Sequence, residues 1–302
     1  MTNPSSRSTV LPTSLTVFAP AKINLVLRIL DRRPDGYHNL WSLMQIVQLE
    51  DELSISLSDK HSSIALQCDD SSLKTDPSNL VYRAAAAVLE HSGRVIGLDL
   101  VLAKRIPMGA GLGGGSSDAA ATIIGLNQLL NLGWSMKKMA HVGQALGSDV
   151  PFFFFAPSAI VEGRGEKVDP VQIKGSRWVV LVNPGFPVET KWAYQQLSIS
   201  RTEVRPLSEA HAALGKTSAL SWESVLHVAE NDFETAVFKT HPALHRIKQK
   251  LFAEGAEAAL LSGSGATVFG VFRDETAARQ AQASFQTEPH LKVYAVSTPS
   301  DF

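Results

Sequence analysis

The chain has 302 residues, 44% apolar and 19% charged, with a formal net charge of −1; that length fits two domains with cores of their own. The near-neutral charge leaves no electrostatic footprint for nucleic acid or an anionic membrane surface, and the most apolar stretch, Val150 to Val161, is too short to span a bilayer and is broken by Pro157 and Ser158. Cys68 is the only cysteine, which excludes an intrachain disulfide and fits a reducing, cytoplasmic setting.

Residues 1–14 are rich in Ser, Thr and Pro and have no apolar signal-peptide core; they are expected to be a disordered extension. Alternation from Ile23 to Leu30 predicts a buried strand, ended by turn chemistry at Arg32-Arg33-Pro34-Asp35-Gly36. Glu52 to Leu57 and His61 to Leu66 read as a hairpin. A helix is expected from Asp76 as cap and Pro77 at the first position, running to His91 and stopping at Gly93. A strand from Leu98 to Ile106 leads into a glycine loop, and a helix from Asp118 to Leu130 leaves it. Ser135 caps another helix that ends near Leu146-Gly147. The domain boundary is placed near Lys174-Gly175, giving units 15–174 and 175–302. Leu181 to Pro187 reads as a strand and turn, and Arg201 to Ser221 as a polar variable loop. A helix (His241 to Ala253), a glycine turn (Ser262 to Gly265), a strand (Thr267 to Phe272), a helix (Glu275 to Phe285) and a strand (Lys292 to Val296) complete an α+β second domain.

The glycine loop carries the most chemistry. Pro107-Met108-Gly109-Ala110-Gly111-Leu112-Gly113-Gly114-Gly115-Ser116-Ser117-Asp118 holds five glycines and two serines in twelve residues. Backbone N–H groups so free of side chains, placed at a helix N-terminus, form a cradle for phosphate. A Walker A loop is excluded, because no lysine lies between Lys104 and Lys137. Gly109, Gly111 and Gly114 satisfy a dinucleotide fingerprint, but Ala119 to Ser148 contains no acidic residue for a ribose. A triphosphate loop of another lineage is left, with backbone amides, Ser116 and Ser117 as donors.

Phosphoryl transfer also needs charge stabilisation and a group to orient the acceptor hydroxyl. Lys22, in Pro20-Ala21-Lys22-Ile23-Asn24-Leu25, stands in an apolar strand start, where an ammonium needs a partner or must snorkel out. Asp149, in Ser148-Asp149-Val150-Pro151-Phe152-Phe153, precedes a very apolar run and reads equally as a turn or cap aspartate. Tyr37 and His38 offer a ring to stack on a base and an imidazole to reach its edge, or are ordinary strand residues. Ser262-Gly263-Ser264-Gly265 is either a second phosphate-approaching loop or a tight turn.

Taken in order, these segments resemble the GHMP kinases. Residues 20–25, the loop 107–118 and Leu261-Ser262-Gly263-Ser264-Gly265-Ala266-Thr267-Val268-Phe269 carry the likeness. Asp35-Gly36-Tyr37-His38 beside Asp149-Val150-Pro151-Phe152 points to members whose acceptor alcohol carries a cytidyl diphosphate. The resemblance implies a two-domain α+β fold, with an N-terminal ATP-binding domain like ribosomal protein S5 and a C-terminal ferredoxin-like substrate domain. It implies Asp149 as general base, Lys22 as the residue that orients and charges the pair, and residues 107–117 as the ATP loop. Asn24, Tyr37, His38, Thr190 and Tyr194 would bind the acceptor, with Tyr37 and Tyr194 on opposite faces of the cytosine. ATP with Mg²⁺ and a small-molecule alcohol are the expected partners, with no nucleic acid or membrane, on a monomer or weak homodimer. A mevalonate- or homoserine-type kinase, or an inactive nucleotide-binding regulator on the same scaffold, are the competing readings.

Overall fold

A computed structural model describes residues 12–201, 203 and 205–299. Residues 1–11 of the expected extension lie outside it, and Ser14 already opens the first strand. That strand, β1 (Ser14–Arg32), pairs antiparallel with β2 (His38–Ser58) over almost its whole length. Register shifts at Pro20/Ala21 and at Asn24/Val26 bracket Lys22 and Asn24. Such bulges re-aim side chains, and residues two apart share a face, so Lys22 and Asn24 turn together toward the same neighbours.

The predicted hairpin does not form. Glu52 to Leu57 is the end of β2, while β3 (Ile64–Cys68) pairs parallel with β4 (Gly97–Ala103), which lies between them. β4 also stops short of Ile106. The amides of Arg105 and Ile106 donate to the Asp51 carboxylate at 2.5 and 2.9 Å, which turns the chain out of the sheet. β5 (Ser158–Gly163) joins the free end of β2 and carries β6 (Lys167–Pro170). A short parallel pair, β7 (Gln172–Lys174) with β9 (Ala219–Ser221), follows. The second sheet begins at β8 (Trp178–Asn183), but β10 (Glu230–Asn231) returns to pair with β1.

Helices α1 (Leu80–Ser92), α2 (Gly114–Leu129) and α3 (Met136–Gln144) cover the first sheet around a core that includes Leu53, Leu100, Ile123 and Val142. The cap of α1 is Asn79, whose Oδ1 accepts from the Val81 amide, rather than Asp76. Asp76 is engaged one turn earlier, accepting from the Ser78 amide and hydroxyl. Gly93 ends α1 in the left-handed conformation, and Ser135 caps α3, as expected from sequence. Helix α2 starts four residues earlier than expected, because Gly113, at φ +72°, makes the turn into it.

Helices α4 (Thr190–Ser200), α5 (Glu209–Leu214), α6 (Trp222–His227) and α7 (Glu234–Thr240) fill the segment after β8. The stretch expected as a loop from Arg201 to Ser221 therefore holds a capped helix and a strand. Ser208 caps α5 through the His211 amide. Then α8 (Pro242–Ala253), β11 (Ala258–Leu261), β12 (Val268–Phe272), α9 (Glu275–Ser284) and β13 (Lys292–Ser297) complete the chain. The second sheet runs β11-β12-β8-β13, all antiparallel. With α8 and α9 this is a split βαββαβ unit into which α4 to α7 are inserted after the first strand. Ala21, Ile23 and Leu25 of β1 share one core with Val179 and Leu181 of β8 and Phe269 of β12. The two sheets thus meet across apolar contacts beside Lys22.

Candidate active site

Two cavities open side by side where the sheets meet. The first, of about 560 Å³, is lined by every residue from Ile106 to Ser116, with Lys104, Asp118 and the start of α1. Gly113 occupies the cap position of α2 and offers no side-chain acceptor, so the first amides of that helix stay available for an anion. Ser117 lies behind this wall and is buried, its hydroxyl without a partner among the described residues. Gly111, at φ +77°, packs on the Ser262–Gly265 turn so closely that a Cβ there would stand 2.0 Å from the Ser262 carbonyl oxygen. Ser262 Oγ donates to the Gly111 carbonyl at 2.9 Å, and the Thr267 amide to that of Ala110 at 3.1 Å. The two glycine segments, far apart in sequence, form one double-layered wall.

The second cavity, of about 940 Å³, is lined by Tyr37 and His38 at the start of β2, by Ser148 and Asp149, by Arg164, and by Thr190, Lys191 and Tyr194 of α4. Tyr37 is exposed at its mouth. His38 stacks on Tyr194 with ring centroids 5.0 Å apart and planes at 20°, and Tyr194 stands edge-on to Phe233. One face of Tyr194 therefore backs the His38 imidazole. Burial, then Arg32 and Arg201, hold His38 below its ordinary 6.5, so its ring is neutral near pH 7. Burial, then Asp149, push the Tyr194 phenol up to about 12, which keeps it a hydrogen-bond donor. Thr190 Oγ1 lies 3.0 Å from Ser264 Oγ and ties α4 to the second glycine turn.

Lys22 joins the two cavities. Its side chain is 4% exposed, and Nζ donates to the Gly111 carbonyl at 3.0 Å on the side of the first cavity. On the other side Nζ lies 3.6 Å from Asp149 Oδ2, whose side chain is 33% exposed. Burial pulls the lysine below its ordinary value of 10.5, against the pull of Asp149. Asn24 lies behind the lysine and lines neither cavity. Its Oδ1 accepts from Lys22 Nζ at 2.8 Å and from the Gly263 amide at 2.9 Å, while its amide donates to Ser42 Oγ. The position that the resemblance assigns to the acceptor also aims the ammonium.

This layout matches a known architecture in both halves. The sequence profile described as GHMP kinases N terminal domain matches residues 79–156, and that described as GHMP kinases C terminal matches residues 206–290. The chain belongs to the GHMP kinases. It is 42% identical over 273 residues to a 4-diphosphocytidyl-2-C-methyl-D-erythritol kinase of Geobacter sp. (strain M21), covering 90% of this chain and 94% of that protein. The kinase of the same name from Geobacter metallireducens is also 42% identical, over 94% of this chain and 98% of its own length. The crystal structure of a 4-(cytidine 5'-diphospho)-2C-methyl-D-erythritol kinase superposes with a TM-score of 0.79 at 32% identity, covering 95% of this chain and 100% of that one. A homoserine kinase from Cytophaga hutchinsonii shares the fold, with a TM-score of 0.76 at 22% identity over 99% of this chain and 98% of that one. The chain is accordingly an ATP-dependent small-molecule kinase with a mixed α+β GHMP fold.

The structure adds residues to this GHMP kinase site that the sequence reading passed over. Lys104 lines the first cavity and is clamped by Asp51 and by Asp118 Oδ2, the latter at 2.7 Å. Burial and the neighbouring Asp51 raise Asp118 to about 7 against the pull of Lys104. Its second oxygen has no hydrogen-bond partner among the described residues. Asn231 on β10 donates to the Leu261 and Gly263 carbonyls at 2.7 and 2.8 Å, holding the second glycine turn. No local pattern marks a two-residue strand, so Asn231 could not be read from sequence. Lys104 directly follows β4, three residues before the glycine loop, and a cation at that place in the sequence was a usable signal.

Proposed function

We propose that this enzyme transfers the γ-phosphoryl group of ATP to the 2-hydroxyl of 4-diphosphocytidyl-2-C-methyl-D-erythritol, giving the 2-phosphate and ADP in the non-mevalonate isoprenoid-precursor pathway. The observation that carries this reading is the Lys22–Asp149 pair. It stands at the junction of an anion cradle and an aromatic pocket, with Nζ bonded to the Gly111 carbonyl on one side and Asp149 lining the other. The names of the relatives supply the acceptor.

In this reading residues 107–116 and the first amides of α2 hold the triphosphate. The cytosine lies at Tyr37 and His38, and the acceptor hydroxyl reaches Asp149. The carboxylate accepts the hydroxyl proton as the oxygen attacks the γ-phosphorus, and the bond to the ADP oxygen breaks. Lys22 sets its ammonium 3.6 Å from that carboxylate and faces the phosphate loop, where negative charge accumulates. Asn24 and Gly263 fix the direction of its ammonium. Thr190 and Tyr194 brace the acceptor wall from α4. Residues 15–174 form the ATP-binding unit and also supply Tyr37, His38 and Asp149 to the acceptor cavity, while 175–302 close that cavity with Thr190 and Tyr194.

Among the described residues no group of three His, Cys, Asp or Glu could cage a metal ion. Mg²⁺ would arrive on the nucleotide, neutralising phosphate charge. Asp118 Oδ1 beside the cleft and Ser117 Oγ just behind it, both buried and unpartnered, are the oxygens that would hold it.

Asp149→Asn tests the assignment. Turnover with the cytidyl acceptor should drop by about 10²-fold or more, while ADP binding measured by calorimetry stays within twofold. Unchanged turnover removes Asp149 from the base role. Wild-type turnover of homoserine or mevalonate, with none of the cytidyl alcohol, removes the acceptor.

A further inference from the structure

Arg164 stands in the turn between β5 and β6, in Gly163-Arg164-Gly165-Glu166, and has no carboxylate within ion-pair distance among the described residues. Its guanidinium lies over the ring of Tyr37, 5.2 Å from the centroid. The turn is built to hold it there. The Arg164 amide donates to Glu166 Oε2 at 2.6 Å. Gly165 packs so tightly on the segment bearing the base that a Cβ would stand 2.9 Å from the Ser148 carbonyl oxygen. The guanidinium of Arg164 thus sits on the ring at the mouth of the acceptor cavity, its neighbour Gly165 anchors the turn on Ser148, and Arg164 lines the same cavity as Tyr37 and Asp149.

Resting on the acceptor reading above, we propose that Arg164 is the specificity residue for the diphosphate of a nucleoside-diphosphate alcohol. The chemistry of that ligand sets the requirement. With the base at Tyr37 and the hydroxyl at Asp149, two anionic phosphates must run between an aromatic ring and a carboxylate. A carboxylate repels them, so the span needs a cation, and a planar guanidinium can bond phosphate oxygens in pairs while stacking on a ring. Arg32 and Lys191 also line the cavity. Arg32 lies near His38, on the base side, and lowers its pKa; Lys191 makes no cation–ring contact among the described residues, whereas Arg164 lies on Tyr37. The contact with Tyr37 also holds the ring in place before a base arrives.

The test compares binding of cytidine, CMP and CDP to wild type, Arg164→Gln and Arg164→Lys by calorimetry, with steady-state kinetics on the cytidyl acceptor. Arg164 is exposed at a turn, so neither variant should disturb folding. Wild type should prefer CDP to cytidine, and Arg164→Gln should cut that preference by about 10- to 100-fold, the size of a lost charged hydrogen bond. KM for the acceptor should rise by a similar factor while kcat and KM for ATP stay within about twofold; Arg164→Lys should restore part of the loss. A CDP preference that survives in Arg164→Gln overturns the role of Arg164 and leaves the acceptor reading standing. A wild-type enzyme that, with its nucleotide site saturated by ADP, binds none of cytidine, CMP and CDP overturns the acceptor reading itself, and the role of Arg164 with it.

Discussion

Replacing Lys22 by Met should abolish catalysis without weakening the fold. The lowered pKa of Lys22 shows that the folded protein holds its ammonium less favourably than water does: burial outweighs Asp149. Removing the amine strands no partner. Asn24 Oδ1 keeps the Gly263 amide at 2.9 Å, and the Gly111 carbonyl keeps Ser262 Oγ at 2.9 Å. Asp149 is one-third exposed and returns to water. Loss of one member of a buried ion pair costs several kcal/mol because the other charge is left buried; here that cost is absent. Replacement of whole buried pairs by apolar groups stabilises by about 1–4 kcal/mol, and removing one loosely paired member should give about 0–2 kcal/mol. At about 2–4 °C per kcal/mol, the melting temperature should stay level or rise by a few degrees. Turnover should fall by about 10²–10³-fold, the size of a lost charge-stabilising donor. The unfolded chain binds a proton at Lys22 up to about pH 10.4 while the folded chain releases it earlier, so wild-type stability gains with pH across that window. The stability advantage of the variant should therefore shrink as pH rises. Scanning calorimetry at several pH values, paired with steady-state kinetics, reads both effects. A melting temperature lowered by more than about 5 °C would show that the ammonium stabilises the fold, and the argument from its pKa would be wrong.

Wild-type kcat/KM should decline on the alkaline side at a pH below 10.5, because Lys22 must stay charged and burial lowers its pKa; a limb at or above the ordinary lysine value would contradict this. Gly111→Ala combines a positive φ with a Cβ 2.0 Å from a backbone oxygen, so it should lose about 3 kcal/mol or more of stability in denaturant melts and weaken ATP binding. Tyr37→Ala removes an exposed ring at the cavity mouth and should raise KM for the cytidyl acceptor by about tenfold with KM for ATP unchanged, since a stacked base is worth about 1–3 kcal/mol. Equal losses for both substrates would show general unfolding instead.

What could be read from sequence divides by range. The glycine wall was legible because five glycines in twelve residues have few uses besides close backbone approach. The Gly93 stop of α1 and the Ser135 cap of α3 are local chemistry and appear where expected. The hairpin expected from Glu52 to Leu66 failed because alternation marks a strand without naming its partner; β4, about thirty residues further on, pairs between the two segments. Asp76 and Asn79 both carry a capping side chain, and only the tertiary path decides which one begins the helix. Asn24 illustrates the same limit inside the site. Its place beside Lys22 was legible, but its direction depends on the Gly263 amide, 239 residues away.

That dependence bears on how the site stays assembled. The ammonium of Lys22 is aimed by three acceptors: its strand neighbour Asn24 on β1, and two remote ones, Gly111 in the first glycine wall and Asp149 before the apolar run. The second glycine turn locks two of them, through the Gly263 amide on Asn24 and Ser262 Oγ on the Gly111 carbonyl. Asn231 in turn holds that turn from β10, the short strand by which the chain returns to the first sheet. The shared apolar core beneath, from Ala21 and Ile23 to Leu181 and Phe269, resists separation of the sheets. A lysine costly to bury stays pointed at the junction of two cavities because two of the groups around it are held by a turn more than 200 residues away in sequence. Loosening β10 should therefore reduce turnover before it reduces the affinity of either substrate.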